Sequence, residues 1–166
     1  LSSYGSFRII TTKGVAMVLV LSYWNLNHLT TGGIRRVNAL LKAIGKTVLL
    51  CQPGTEHPKC ETVVLGGDLG RRKVGINWGI FNFFDPFTAR QVRRLAQENK
   101  PALIVLTSMW VYFPLRELRG VPMVLDAHDV NAVAIGERFG AHHPFTWLIR
   151  RWEGRVVRQM DHVFAC

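Results

Sequence analysis

The sequence predicts an α/β domain in which helices cover both faces of a mostly parallel β-sheet. Short, continuously apolar segments, typical of strands buried on both faces, alternate with segments whose apolar residues recur at helical spacing. This alternation implies right-handed crossovers and a Rossmann-like three-layer domain. With 166 residues, 48% apolar and 19% charged, the chain has room for one such domain and is too apolar to be intrinsically disordered.

The first hundred residues supply three predicted strands and two predicted helices. Residues 15–22 form an apolar run that reads as the first strand, and apolar residues at helical spacing in 34–44 follow a polar stretch. Two more strands, 47–51 and 61–65, each end at a Gly-containing turn. Pro86 opens a helix that ends at Asn99.

The second half continues the alternation. Strands are predicted at 102–106, 122–126 and 162–166, and a helix at 146–160. On that helix Leu148, Trp152, Val156 and Met160 form an apolar stripe that we expect to contact the core. Because parallel strands usually lead into another covering element, a chain that ends at Cys166 is expected to lack a downstream part.

Residues 71–85 interrupt this pattern with three basic residues followed by four aromatic ones. Two interpretations stay open. The segment is either a loop whose aromatic side chains pack against the domain, or an exposed insertion that faces a membrane or a substrate.

The charge balance limits the partners. The chain has 21 basic and 11 acidic residues, a net charge of +10, so its surface should attract phosphates, acidic lipid headgroups or nucleic acid. No apolar run approaches the roughly 20 residues that span a bilayer, and residues 1–14 do not resemble a secretory signal. Three cysteines are an odd set for a disulfide framework. We therefore expect a cytoplasmic protein with reduced thiols, with a peripheral position on the inner face of the membrane as the alternative.

Several nucleotide and hydrolase motifs are missing. The first strand is not followed by Gly-x-Gly-x-x-Gly, Gln52 stands where a ribose-binding carboxylate would end the second strand, and no P-loop or Gly-x-Ser-x-Gly elbow occurs. A Gly pair, Gly32–Gly33, does open the first helix, followed by Arg35 and Arg36. It is either an ordinary N-terminal turn or a place where backbone amides receive an anionic group.

The densest group of chemically active residues is Asp126-Ala-His128-Asp129, at the end of the fifth predicted strand. Open parallel sheets place their ligands at this edge. Asp126 and His128 should face the same side of an extended segment, and Asp129 could cap a following helix. The group is a metal site, an acid–base or substrate-binding histidine, or a structural histidine with a capping aspartate.

A metal is the least favoured of these three. A binuclear phosphoesterase would place Asp-x-His first in the chain and would need a Gly-Asn-His element, which is missing. Cys51, His57 and Cys60 also lack the paired spacing of a zinc site. We therefore expect no metal cofactor.

Three stretches, taken in order, resemble the N-terminal domain of GT-B fold glycosyltransferases, particularly the retaining family 4 type. Residues 31–50 resemble that family's Gly-Gly loop, long helix and second strand, and 100–106 a strand that begins with a Lys-Pro phrase. Residues 121–129 with 151–166 resemble its histidine strand, Glu-containing helix and last strand before the domain crossover. The resemblance thus covers most of the chain and implies one half of a GT-B fold.

By this resemblance, Gly32 and Gly33 would lie near the donor phosphates, and His128 near the transferred sugar as the catalytic residue. The N-terminal domain usually holds the acceptor, a glycan or a lipid-linked molecule, and its predicted pocket residues are Asn25, Asn27, Trp110 and Asp129. The nucleotide-sugar donor is a substrate, and no cofactor is implied.

A second Rossmann-like domain in that family binds most of the donor nucleotide through a Glu-x7-Glu-like pattern. Glu153 is in the wrong place to supply it, so residues 1–166 are expected to be a single acceptor-side domain that is inactive alone. The rival hypothesis is a non-enzymatic basic module that binds nucleic acid or an anionic membrane.

Overall fold

The protein folds around a parallel β-sheet, which confirms the predicted Rossmann-like α/β class. The computed structural model describes residues 17–22, 26, 32–44, 47–51, 60–64, 86–128 and 130–165. Among these, six strands pair in the order β3-β2-β1-β4-β5-β6, and every pairing is parallel. The strands are β1 (Val18–Leu21), β2 (Thr47–Cys51), β3 (Glu61–Val64), β4 (Leu103–Leu106), β5 (Met123–Ala127) and β6 (His162–Ala165).

Four α-helices and one 3₁₀ helix are described beside the sheet. They are α1 (Gly32–Ala43), α2 (Pro86–Asn99), a 3₁₀ helix (Met109–Leu115), α3 (Asn131–Phe139) and α4 (Pro144–Val157). The sequence pattern predicts every strand and the helices α1, α2 and α4 to within a few residues. It does not delimit the 3₁₀ helix or α3.

The two faces of the sheet explain the continuous apolar runs. In β1, Leu19 and Leu21 belong to a large core cluster shared with α2, the 3₁₀ helix, α3 and α4, whereas Val20 belongs to a second cluster under α1. All three are fully buried. Because successive strand residues point to opposite faces, a strand covered on both sides needs apolar residues at every position.

The helices α3 and α4 form an antiparallel pair, the α3–α4 hairpin, between β5 and β6. Glu153 of α4 contacts the start of α3, and the Thr146 hydroxyl donates a hydrogen bond to the Gly140 carbonyl at the end of α3. Gly140 has φ +99°, a conformation that side chains rarely adopt, and so ends α3. The short turn 140–143 then lets the chain reverse direction.

The hairpin lies toward the carboxyl edge of the sheet. A helix that connects parallel neighbours runs opposite to the strands, so α4 begins near the edge where β5 ends. Its 14 residues span about 21 Å, against about 13 Å for the four residues of β6, so its first turns extend past the strand ends. Leu148, predicted to contact the core, is instead 55% exposed there.

None of the described helices combines the length and the apolarity that a membrane span requires.

Candidate functional site

The candidate site lies at the carboxyl edge of the sheet, where the strand order reverses between β1 and β4. Helix α1 begins after β1 at this edge, and β5 ends there with Asp126 and Ala127, followed by His128. Such a switch point leaves a crevice between loops that diverge to opposite faces, which is where open α/β sheets bind ligands.

An ion pair joins these two parts of the edge. One guanidinium nitrogen (Nη2) of Arg36, in α1, lies 2.5 Å from Oδ1 of Asp126. The Asp126 side chain is 6% exposed, whereas that of Arg36 is 36% exposed. The pair therefore anchors the first turns of α1 to the end of β5 and leaves the arginine within reach of solvent.

His128 lies against the same carboxylate. Its Nε2 is 3.3 Å from Oδ2 of Asp126, and its side chain is 9% exposed. This contact confirms the expectation that residues two apart on the extended segment share a side. A carboxylate at this position favours a proton on Nε2 and so restricts the orientation of the imidazole ring.

The charge state of Asp126 follows from three effects. Burial raises the pKa of this carboxyl, but the interactions with the His128 imidazole and the Arg36 guanidinium outweigh it. The pKa of Asp126 consequently lies below its ordinary value, and the carboxylate stays ionised at neutral pH. It can hold Arg36 and His128 in place as an anion, without taking up a proton.

The Gly pair opens α1 beside this ion pair. Gly32 is exposed, and a Cβ placed on it would meet nothing within 4 Å. Among the described residues, packing thus gives no steric reason for glycine at this position. The first turn of α1 has no acidic residue, so its backbone amides and positive dipole end are suited to an anionic group. Gly33 is half-buried and Arg35 is exposed.

Trp110, predicted to lie on a strand-end loop in the acceptor pocket, sits in the 3₁₀ helix. The Ser108 side chain caps this helix by accepting a hydrogen bond from the Trp110 amide. The Trp110 ring packs partly against the main core, and its indole Nε1 donates a hydrogen bond to Oδ1 of Asn131 at 2.9 Å. The residue therefore ties the end of β4 to the start of α3.

Glu153 supplies the cap of α3. The N-cap residue is Val130, which has no side-chain hydrogen bond to offer. Oε1 of Glu153 accepts from the Asn131 amide at 2.9 Å, and Oε2 accepts from the Ala132 amide at 3.1 Å. Because α3 begins three residues after His128, this carboxylate holds the chain that leaves the candidate site.

Two residues of this arrangement were not identified from the sequence. The resemblance marks Glu153 only as part of a Glu-containing helix, in the wrong place for the donor-binding pattern, and the sequence marks Arg36 only as added charge. One signal was available, since Glu153 is the single acidic residue of an otherwise arginine-rich helix. A lone acidic residue in such a helix indicates that its side chain contacts a specific group inside the protein.

Some predicted positions lie outside the described residues: Asn25, Asn27, Asp129, His57 and the segment 71–85. Leu26, between the two asparagines, is described and is buried in the cluster under α1. Within the described ranges, no three His, Cys, Asp or Glu side chains converge on a position that could hold a metal ion. Cys60 packs beside the cluster under α1.

Comparison with known proteins identifies the family. The family model described as a glycosyl transferase 4-like domain matches residues 31–166, which include α1 with its Gly pair, Asp126, His128 and Glu153. A search of curated proteins gives no match. The match extends over most of the chain and agrees with the parallel sheet and the position of the site. The chain belongs to the glycosyl transferase 4-like family and forms a Rossmann-like N-terminal domain of the GT-B, family 4 type.

Proposed function

We propose that the protein transfers a sugar from a nucleotide-sugar donor to a glycan or lipid-linked acceptor, and that its reaction centre lies beside His128. The observation that carries this proposal is the Arg36–Asp126–His128 cluster. It holds the amide-rich start of α1 and an oriented histidine at one edge of a parallel sheet.

The groups suit the charges that develop in glycosyl transfer. The bond between the anomeric carbon and the donor phosphate oxygen breaks, and the oxygen of the acceptor hydroxyl forms the new bond. Negative charge collects on the leaving nucleoside diphosphate, which accepts the proton that the hydroxyl loses. The start of α1, Arg35 and the exposed part of Arg36 can stabilise that charge. His128, held by Asp126, contacts the transferred sugar or the phosphate.

The family relationship supports a donor site completed by a second Rossmann-like domain that faces this edge. Retaining or inverting transfer requires both substrates to be held close together, and the described groups supply one side of such a site. The decisive assays therefore use the full-length protein.

His128→Ala provides the test. In full-length protein incubated with a panel of UDP- and GDP-sugars and candidate acceptors, H128A should lower kcat by about 100-fold or more. The control is His162→Ala, which removes an exposed imidazole from the edge strand β6. It should leave kcat within about twofold of the wild type.

Thermal unfolding separates the two roles of His128. A reaction-centre role predicts a large loss of kcat with a modest shift of the unfolding midpoint. A large drop in the midpoint with unchanged specific activity of the folded protein would show a structural histidine and contradict the proposal.

A further inference from the structure

The α3–α4 hairpin exposes large apolar side chains that the core does not use. Phe139 and Phe145, at its tip, pack edge to face with ring centres 5.9 Å apart, yet they are 49% and 43% exposed. Trp147 and Leu148, on the first turns of α4, are 59% and 55% exposed. Scattered apolar residues are normal on a surface, but four large ones at one end of a helix pair form a candidate interaction surface.

Arginines border these side chains. The guanidinium of Arg138 lies 5.6 Å from the Phe139 ring centre, and that of Arg151 lies 5.8 Å from the ring centre of Trp147. Arg150 is also exposed. We define the hairpin surface as the four apolar residues with these three arginines: Phe139, Phe145, Trp147, Leu148, Arg138, Arg150 and Arg151.

The outward side of α4 has no acidic residue to offset this charge. The only acid of the helix, Glu153, is turned inward to cap α3. Next to Trp147 lies a shallow depression of about 290 Å³, lined by Arg150, Arg151, Gly154 and Arg158 as well. Three guanidinium groups around an open depression suit a phosphate-containing group.

This combination suits a bilayer better than a nucleic acid. Tryptophan and arginine both place an apolar body in the lipid interface and a polar end at the headgroups, and phenylalanine and leucine supply apolar burial. In a single-strand site, aromatic rings stand open for bases to stack on, but here the two phenylalanines pack against each other and Leu148 has no stacking face. The positive charge is complementary to anionic phospholipids.

We propose that the hairpin surface docks the protein onto a bilayer that contains anionic phospholipid. Docking needs no glycosyl transfer and is tested without it. One consequence does rest on the proposed function. Because the hairpin lies at the carboxyl edge of the sheet, docking brings the His128 edge close to the headgroups, where a lipid-linked acceptor is found.

Vesicle flotation of the full-length protein tests the proposal. The vesicles are phosphatidylcholine alone, or a mixture in which about a third of the lipid is phosphatidylglycerol. The wild type should float with the anionic vesicles, lose that binding as salt rises, and remain unbound with phosphatidylcholine alone.

Two hairpin variants should weaken the flotation. Combining Arg150→Gln with Arg151→Gln should reduce partitioning by about 20- to 30-fold, since each basic residue near an anionic surface contributes a factor of about five. Trp147→Ala should reduce it by about five- to tenfold through lost apolar burial.

Matched controls keep the test specific to this surface. Phe164 on β6 is 59% exposed, the same as Trp147, so Phe164→Ala removes an equally exposed aromatic ring elsewhere. Combining Arg90→Gln with Arg94→Gln makes the same charge change on α2. Both controls should float as the wild type does.

Three outcomes would overturn the proposal. The first is equal loss of flotation in the hairpin variants and their controls. The second is an absence of vesicle binding while a single-stranded oligonucleotide binds in a manner that depends on Arg150 and Arg151, which would make the surface a nucleic-acid site. The third is a dimer in analytical ultracentrifugation that W147A dissociates, without vesicle binding.

If W147A instead lost flotation and retained transferase activity on a water-soluble acceptor, docking and catalysis would be separate properties.

Discussion

The cap of α3 by Glu153 gives the sharpest prediction about stability. Glu153→Gln keeps the size of the side chain but replaces one of two accepting oxygens with an amide that cannot accept. The Asn131 and Ala132 amides, now satisfied at 2.9 and 3.1 Å, would then share one neutral acceptor. The variant isolates the charge and the second hydrogen bond from the packing of the side chain.

The expected cost is about 2 kcal/mol. A hydrogen bond to a charged group contributes about 1.5–3 kcal/mol and a neutral one about 0.5–1.5 kcal/mol, and a carboxylate at a helix start adds about 0.3–1 kcal/mol. Because Glu153 is only half-buried, water replaces part of the lost bonding, so the estimate stays at the lower end of the sum. For a domain of this size, the unfolding midpoint should fall by about 4–8 °C.

The assay is urea unfolding followed by far-UV circular dichroism, with Glu137→Gln as the control. Glu137 is an exposed residue of α3, so E137Q makes the same chemical change on the same hairpin and should stay within about 0.5 kcal/mol of the wild type. If E153Q and E137Q differ by less than about 0.5 kcal/mol, the capping argument is wrong.

A double-mutant cycle tests the mechanism itself. Val130 stands at the N-cap position with an extended backbone, where aspartate is a favourable residue. Val130→Asp should therefore stabilise the E153Q variant by about 1 kcal/mol more than it stabilises the wild type, because only E153Q leaves the amides of α3 in need of an acceptor. Equal effects in both backgrounds would show that Glu153 acts through packing.

Two further predictions concern the ion pair and the Gly pair. Asp126→Asn should lower the free energy of unfolding by about 1–2 kcal/mol at pH 7. The pKa of Asp126 is lower in the folded than in the unfolded protein, so the difference in unfolding free energy between the wild type and D126N should shrink as pH falls from about 3.9 through the folded-state pKa. Urea unfolding at several pH values that shows a constant difference would contradict a role for the charge of Asp126. Gly32→Ala should keep the stability or raise it by up to about 1 kcal/mol, because its Cβ meets no atom of the described residues, while raising the KM for the donor several-fold; an unchanged KM would remove Gly32 from the phosphate site.

The parts of the fold that the sequence predicted are those set by local pattern. A strand covered on both faces, such as β1, must be apolar throughout, and α1 and α2 repeat apolar residues at the helical period. Helix α3 was not delimited because it is short, contains Gly136 and has a valine, Val130, at its N-cap position in place of a capping residue. The carboxylate that caps α3 comes from another helix, and a local sequence pattern cannot predict such a contact.

In the candidate site too, the features set by local sequence pattern were predictable and those set by tertiary geometry were not. Asp126 and His128 are neighbours on one extended segment, so their contact followed from spacing, and the position of the Gly pair followed from the strand–helix order. The pairing of Arg36 with Asp126 joins distant parts of the chain, and the exposure of Leu148 depends on how far α4 extends past the sheet. Both are consequences of tertiary geometry, which the helical spacing of Leu148 could not reveal.

The segment from Asp126 to Glu153 connects the site with the hairpin. Asp126 orients His128, the chain enters α3 three residues later, and Glu153 fixes that entry from the middle of α4. The same inward turn of Glu153 leaves the outward side of α4 basic, so one carboxylate both holds the path next to His128 and determines the charge of the hairpin surface. Loss of the Glu153 cap should therefore alter both the position of His128 and the exposure of the hairpin surface. W147A should alter only the hairpin surface.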